Sequence, residues 1–388
     1  MKDKIMLVYQ DNYPWDIRIE KFLITLSEKY EVHLICRNKN LNIESESLAK
    51  DIYVHRFPIK LSKIKIISEP FHLNAFWHSF VNSMMNEINP KCVIVRNLPL
   101  AKLVIKSSKK RNIPVIFDNA ENYPEFIRFF EKYDNVVFRL LDKGGYFENL
   151  ENYCVKNADF TINVIEENTN RIKEKLENVD AKMDEIYNVP YKIKNQILKQ
   201  KINPNIFNIC YIGALEDDKL RGVSTAIRSL KYLSNNYELT IIGDGRDADK
   251  LKDEAEELKL DNRIHFTGRL EYKDIIKYVA KFDIGIVPHM KVNMTDTTMA
   301  NKIYEYMAYG LIVITTDAIP LKRFVEENDI GFVYRSGDEK DLAQKIKEAT
   351  SNLELMNEMK KKNTDKHINE FNWDQEKMKL FEIIDNLR

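Results

Sequence analysis

The chain has 388 residues, 44% hydrophobic and 31% charged, with 60 Lys plus Arg against 60 Asp plus Glu. That composition excludes collagen-like, disordered and small disulfide-stapled classes, and the length suits about two domains of ~100–200 residues each. Zero net charge also argues against a surface built wholly for nucleic acid, although residues 50–115 gather twelve basic residues against three acidic ones. The opening MKDKIMLVYQDN passes from charge through a short apolar run into polar residues, which predicts a first strand at 4–9 and not a secretory signal. Between Trp15 and Tyr30, Ile17, Phe22, Leu23 and Leu26 recur at roughly helical spacing. Further strands are predicted at 32–36, 92–95, 115–117, 160–164 and 185–187. The strand, helix, strand rhythm implies right-handed crossovers and a parallel sheet covered by helices.

Residues 188–204, NVPYKIKNQILKQKINP, are polar, lysine-rich and bracketed by prolines, and read as an interdomain linker. The rhythm restarts with strands predicted at 207–212, 239–242, 263–266, 284–287, 312–315 and 332–334. The tail 367–388 reads as a final helix with Trp373, Met378, Phe381 and Ile384 on its apolar face. Cys36, Cys92, Cys154 and Cys210 lie far apart with no C-x-x-C, and the first, second and fourth sit in strand-like runs. They read as buried free thiols of a reduced compartment, hence the cytoplasm. No stretch approaches the ~18 apolar residues of a spanning helix, so membrane contact, if any, is expected to be peripheral.

Parallel α/β sheets bind ligands beyond the carboxyl ends of their strands. In YIGALEDDKLRGVSTAIRSL the strand ends at Gly213 and Arg221-Gly222 is expected to open a helix, where an arginine can grip a phosphate or simply face solvent. In LTIIGDGRDADKL, Gly243, Gly245 and Ala248 formally satisfy a dinucleotide fingerprint. They open the second βα unit of their domain, however, and the next strand ends in Thr267-Gly268 rather than an acid, so the reading is a tight turn. Gly268, Arg269 and Leu270 follow a strand and could present backbone to the edge of a base. His265 and His289 have no metal-type partner nearby in sequence and read as structural. In TDTTMANKIYEYMAYGLIVITTD a threonine-rich loop enters a helix with Lys302 and Glu305 three apart, and Gly310 ends it. An anion at the helix start and a diol at Glu305 would suit a sugar nucleotide, while an exposed Lys/Glu pair is the plain alternative.

The order I-G-x(7)-R-G, I-I-G-D-G, F-x-G-x-L, I-V-P, K-x-x-E-Y-M-A-x-G over residues 207–340 closely resembles the C-terminal half of GT-B glycosyltransferases of family 4, the group 1 glycosyl transferases. YPWDIRIEKFLITLSEKYEVHLI and VIFDNAENYPEF resemble the first half more loosely. The resemblance implies a GT-B fold: two Rossmann-like β/α/β domains facing each other across a cleft. Residues 1–196 would bind acceptor, residues 197–366 the donor, and the helix 367–388 would pack back on the first domain. It further implies transfer of a sugar from a nucleotide-diphosphate sugar to a glycan or lipid-linked acceptor with retention, without metal or other cofactor, in surface polysaccharide synthesis.

On that resemblance Arg221 and Lys302 neutralise the diphosphate, Glu305 binds the ribose, Gly268, Arg269 and Leu270 meet the base, and Gly213 approaches the donor. Thr298, Met299, Ala300 and Asn301 cap the β-phosphate. Thr297 stands where relatives carry a first glutamate, Ala120 where they carry a histidine, and Ala214 follows Gly213 where they carry Arg or Lys two residues before the diphosphate loop. Asp16, Arg18, Asp118 and Glu121 are expected on the acceptor side, with Glu121 as the catalytic candidate; Asp16 as a helix N-cap with Arg18 solvated is the alternative. A non-catalytic GT-B partner subunit and a nucleotide-sugar epimerase remain alternatives for the whole chain. Phe71, Phe76 and Trp77 among the lysines from Lys60 to Lys91, and FIRFFEKY at 126–133, either dock a lipid-linked acceptor at the anionic inner face of a membrane or are ordinary helix faces.

Overall fold

The computed structural model describes residues 2–14, 16–39, 41–130, 136–176, 180–193 and 205–387. Residues 194–204 of the expected linker, the expected boundary at 196/197, Trp15 and residues 131–133 therefore lie outside the described residues. The chain divides into two compact units, Met1–Tyr187 with Lys377–Arg388, and Asn188–Glu376. The division falls nine residues before the boundary expected from sequence, and the C-terminal segment joins the first unit at Lys377 rather than at 367.

The first unit holds β1 (Lys4–Asn12), β2 (Glu31–Arg37), β3 (Ser45–Ala49), β4 (Ile52–Arg56), β5 (Cys92–Arg96), β6 (Val115–Asn119), β7 (Phe160–Asn163) and β8 (Met183–Glu185). They form one sheet in the order β3-β4-β2-β1-β5-β6-β7-β8, parallel except for the β3–β4 pair. The central strands are nearly continuous apolar runs, such as IMLV in β1 and CVIV in β5, because helices cover both faces of a parallel sheet. Sequence reading omits β3 and β4. The sequence of β3, SESLA, is largely exposed and carries no apolar alternation, so its pairing comes from the β4 edge.

Two helix faces differ from expectation. In the helix Ile17–Ser27, Ile17 is 61% exposed while Arg18 and Ile19 are buried with Phe22, Leu23 and Leu26. Asp16 caps this helix through its side chain, accepting from the Arg18 and Ile19 amides at 2.9 and 3.0 Å, and the first turn then aims residues 18 and 19 inward. At the other end, His367 belongs to the helix Leu353–Asn369, and the last helix is Trp373–Asp385, after Asn372 accepts from the Asp374 amide. Met378 is exposed, and the buried face is Trp373, Leu380, Phe381 and Ile384. The part that joins the first unit is tied there by Lys377 Nζ to Glu28 (3.2 Å), Lys379 Nζ to the Glu185 carbonyl (3.4 Å) and Tyr30 Oη to Asp385 (3.0 Å).

The second unit holds β9 (Phe207–Ile212), β10 (Tyr237–Ile242), β11 (Ile264–Gly268), β12 (Ile284–Val287), β13 (Ile312–Thr316) and β14 (Gly331–Tyr334). All are parallel in the order β11-β10-β9-β12-β13-β14. The sheet is tightly overlaid: a Cβ at Gly285 would lie 2.4 Å from the Tyr306 ring, and the Tyr306 hydroxyl accepts from the Ile212 amide at 2.8 Å. Each sheet reverses its strand order once, between β1 and β5 in the first unit and between β9 and β12 in the second. Those reversals are where the loops at the carboxyl ends splay apart and leave a crevice.

Candidate functional site

In the second unit the loops after β9 and β12 flank the reversal. The loop after β9 leads through Gly213 into a short helix, Asp218–Arg221; Gly222, at φ +65°, then starts the helix Val223–Ser229. Arg221 thus ends one helix instead of opening the next. Gly222 has no room for a side chain, since a Cβ there would sit 2.1 Å from the Pro288 carbonyl oxygen. That close approach, with the Met290 amide donating to the Leu220 carbonyl at 2.8 Å, joins the two loops. Arg221 Nη1 donates to His289 Nε2 at 2.8 Å, so the pair bridges the reversal. Burial, with the Arg221 charge added, pushes the His289 imidazole down to about 3. At neutral pH it is uncharged, an acceptor that holds the guanidinium without cancelling its charge.

The neighbouring strand ends continue this edge. The Gly213 amide donates to the Ile242 carbonyl (2.9 Å), and the Gly243 amide to Gly268 (3.0 Å). A Cβ on Gly243 would lie 1.8 Å from the Gly213 oxygen, which explains the glycine as a close crossing between turns, in keeping with the tight-turn reading. Gly268 sits at φ +68° with open space where a Cβ would be. Across the reversal, Thr295–Thr297 form a short 3-10 turn in which Thr297 Oγ1 donates to the Asn293 carbonyl and Thr298 Oγ1 to that of Met294 (3.0 Å). Residues 298–301 then run into the helix Lys302–Ala308, where Lys302 Nζ donates to Glu305 at 2.6 Å. The pair is part-exposed, with side chains 29% and 19% accessible.

The first unit shows the same design with different chemistry. Arg18 Nε lies 3.1 Å from both oxygens of Asp118, Nη2 lies 2.8 Å from one of them, and Nη1 donates to the Ile186 carbonyl at 2.8 Å. Arg96, at the end of β5, meets Asp118 at 3.0 Å and Asp16 at 3.0 Å. Burial alone would raise the Asp118 carboxyl, but the Arg18 and Arg96 guanidiniums outweigh it and hold it below its ordinary range. Arg18 and Asp118 are each 1% exposed at the side chain, which corrects their assignment to the acceptor side. Their hydrogen-bonding groups are turned on each other, on Arg96 and on the Ile186 carbonyl, inside the fold.

Asp16, Arg96 and Glu121 do face space. They line a cavity of about 790 Å³ at the β1/β5 reversal, walled by apolar groups including Phe71, Phe76, Phe126 and Phe147. Sequence reading missed Asn97 there, the residue between β5 and the helix Leu98–Lys109. Its one sequence signal is a polar residue wedged between an apolar strand and a helix-opening proline, RNLP. A smaller cavity of about 390 Å³, lined by Ile312, Glu348 and Met356 among others, lies at the amino end of β13, away from the ligand-side loops. Among the described residues no group of three or more His, Cys, Asp or Glu could hold a metal ion, and no helix is long and apolar enough to cross a membrane.

Residues 192–366 match the family described as Glycosyl transferases group 1. The chain is similar to the lipopolysaccharide 1,6-galactosyltransferase of Escherichia coli (strain K12), 22% identical over 161 residues, which are 41% of this chain and 44% of that protein. The match therefore spans less than half of that relative's length. Among solved structures it is similar to the sucrose-phosphate synthase of Thermosynechococcus elongatus, with a TM-score of 0.78, 13% identity and 98% of both chains covered. It is also similar to Anabaena Alr3699/HepE in complex with UDP, with a TM-score of 0.70, 14% identity, and 99% of this chain and 100% of that one covered. The fold is that of the GT-B glycosyltransferases, two Rossmann-like α/β domains in one chain.

Proposed function

We propose that the chain is a retaining, metal-independent glycosyltransferase that moves a sugar from a nucleotide-diphosphate sugar to a glycan or lipid-linked acceptor, in surface polysaccharide synthesis. The observation that carries the reading is the Arg221–His289 pair astride the β9/β12 reversal, inside the stretch that matches the group 1 glycosyl transferases. The similar HepE structure contains UDP, and the similar E. coli protein is a lipopolysaccharide galactosyltransferase.

In this reading the donor binds to the second unit. Arg221, held by a neutral His289, offers its charge to the diphosphate, where negative charge grows as the glycosidic bond to the leaving group breaks. Lys302 exchanges its partner Glu305 for phosphate, which frees the Glu305 carboxylate to accept from the ribose hydroxyls. Residues Thr298 to Asn301 supply backbone amides to the β-phosphate, and the open backbone at Gly268, with Arg269 and Leu270, meets the base. Acceptor binds in the first unit, with Glu121 beside the hydroxyl that attacks.

The four cysteines are free and buried, which suits a reducing compartment. Lys63 and Lys65 alternate with the exposed Ile64 and Ile66, with Lys60 three residues before them, a surface suited to the headgroups of an anionic bilayer. Incubation with a panel of UDP- and GDP-sugars tests the central reading: binding and slow hydrolysis of at least one donor are expected, and neither with any of them would overturn it.

A further inference from the structure

Three residues that line the cavity of the first unit each carry a buried polar atom that the fold leaves without a partner. Gln10 Oε1, Arg96 Nε and Asn97 Oδ1 are buried with no hydrogen-bond partner among the described residues, and all three residues line the cavity. They come from the carboxyl ends of β1 and β5, the two strands that flank the reversal. Asn97 is the most telling. It occupies the N-cap position of the helix Leu98–Lys109, where an asparagine ordinarily accepts from the helix amides, yet its side chain makes no capping bond. Its backbone is at φ +59°, ψ 171°, a region that costs a non-glycine residue about 1–3 kcal/mol. A strained, buried asparagine that leaves its own helix uncapped is held for something in the cavity.

The charges and walls narrow what that is. The cavity is lined by four carboxylates, Asp11, Asp16, Glu69 and Glu121, against two guanidiniums, Arg37 and Arg96. An anionic head is therefore disfavoured, and a neutral head that both donates and accepts, as hydroxyls do, fits Gln10, Arg96 and Asn97. The rest of the lining is largely apolar, from the buried Leu98 and Phe147 to an exposed lip of Phe76, Leu73 and Ile66, which are 43%, 72% and 83% accessible. A free sugar would leave those walls wetted, whereas an apolar tail covers them.

We infer that this cavity takes an amphiphilic acceptor, a neutral hydroxylated head on Gln10, Arg96 and Asn97 continued by an apolar chain along the aromatic wall. The inference rests on the transferase reading for the word acceptor, but its test needs no turnover. Ethyl, butyl, hexyl and octyl glycosides of glucose, galactose and N-acetylglucosamine are titrated below their micellar concentrations into the full chain by calorimetry. For at least one head, affinity rises with chain length, up to about fourfold for each methylene that becomes fully buried. Asn97→Gly, which relieves the backbone while removing the side chain, weakens every member of that series about equally. Phe76→Ser, on an exposed lip, flattens the dependence on chain length.

Equal affinity for ethyl and octyl members of all three series, or no detectable binding of any, overturns the inference, as does an Asn97→Gly protein that binds unchanged. The two readings fail separately. A protein that binds the octyl glycoside but neither binds nor hydrolyses any nucleotide sugar keeps the amphiphile site and loses the transferase. One that glycosylates free sugars with no preference for alkylated ones keeps the transferase and loses the amphiphile.

Discussion

The Arg18 guanidinium lies across the Asp118 carboxylate, with Nη2 2.8 Å from Oδ1 and both side chains 1% exposed. Such a pair holds the end of β6 to the first helix but is costly to break, because removing one charge strands the other. Asp118→Asn is expected to destabilise the first unit by about 3–5 kcal/mol, read as a lower urea midpoint. The double substitution Asp118→Leu with Arg18→Met should recover part of that loss, since it removes these two buried charges together and leaves Arg96 paired with Asp16. Because the folded carboxyl is held low, its stabilisation is present above the ordinary carboxylate range and is lost as pH falls through the lowered value.

His289 predicts a pH dependence of its own in the second unit. Its folded value of about 3 lies below that of a free imidazole, near ~6.5, so the unfolded chain binds the proton first. Its stabilisation is complete above ~6.5 and falls with acidification at up to about 1.4 kcal/mol per pH unit. His289→Gln keeps an acceptor for Arg221 without a titrating ring. Denaturant unfolding from pH 7 to pH 4 should show a shallower loss for the variant than for the parent; parallel curves would contradict the assignment.

Two glycines at positive φ give a matched comparison. Gly268→Ala meets open space and bears only the backbone strain, about 1–2 kcal/mol. Gly222→Ala has similar strain plus a contact 2.1 Å from the Pro288 oxygen, so it must part the loops after β9 and β12. It should therefore cost more stability than Gly268→Ala in thermal unfolding. It should also weaken nucleotide-sugar binding by displacing Arg221.

Arg221→Ala should weaken donor affinity on the order of ten- to a hundredfold, the range for a lost charge-assisted contact. Glu305→Ala should weaken binding of nucleotide sugars but leave affinity for inorganic pyrophosphate unchanged or higher, because Lys302 then loses its 2.6 Å partner. Titration of both ligands separates the ribose role from the diphosphate role; equal losses for both would contradict it.

Much of the fold was legible in local periodicity. The strands that lie at the sheet centres are short apolar runs with turn residues between them, as at Ile284–Val287 and Ile312–Thr316. Of the two strands that were missed, Ser45–Ala49 forms the sheet edge, where exposure removes the apolar signal, while Ile52–Arg56 lies one place in and is a short strand whose alternation of buried and half-buried residues includes a histidine and an arginine. Site residues divided similarly. Gly222 and Lys302 could be picked out because glycine in a loop and a cation at a helix start carry local meaning. The burial of Arg18 and Asp118 was not legible, because their contact spans 100 residues and an arginine on a helix reads as solvated. Asn97 was missed for a different reason: its significance is a bond it fails to make, and only the folded backbone exposes that.

Lys377–Arg388 group with the first unit although all of Asn188–Glu376 precedes them in the chain. A ribosome moving at ~5–20 residues per second thus withholds this last segment for roughly ten seconds or more after the first sheet has emerged. The second unit can fold from one unbroken stretch, while the first waits with the sites for Phe381 and Ile384 still uncovered. Expressing the first unit alone would make that interval permanent. A fragment ending at Tyr187 should be rescued by the Trp373–Asp385 helix supplied in trans.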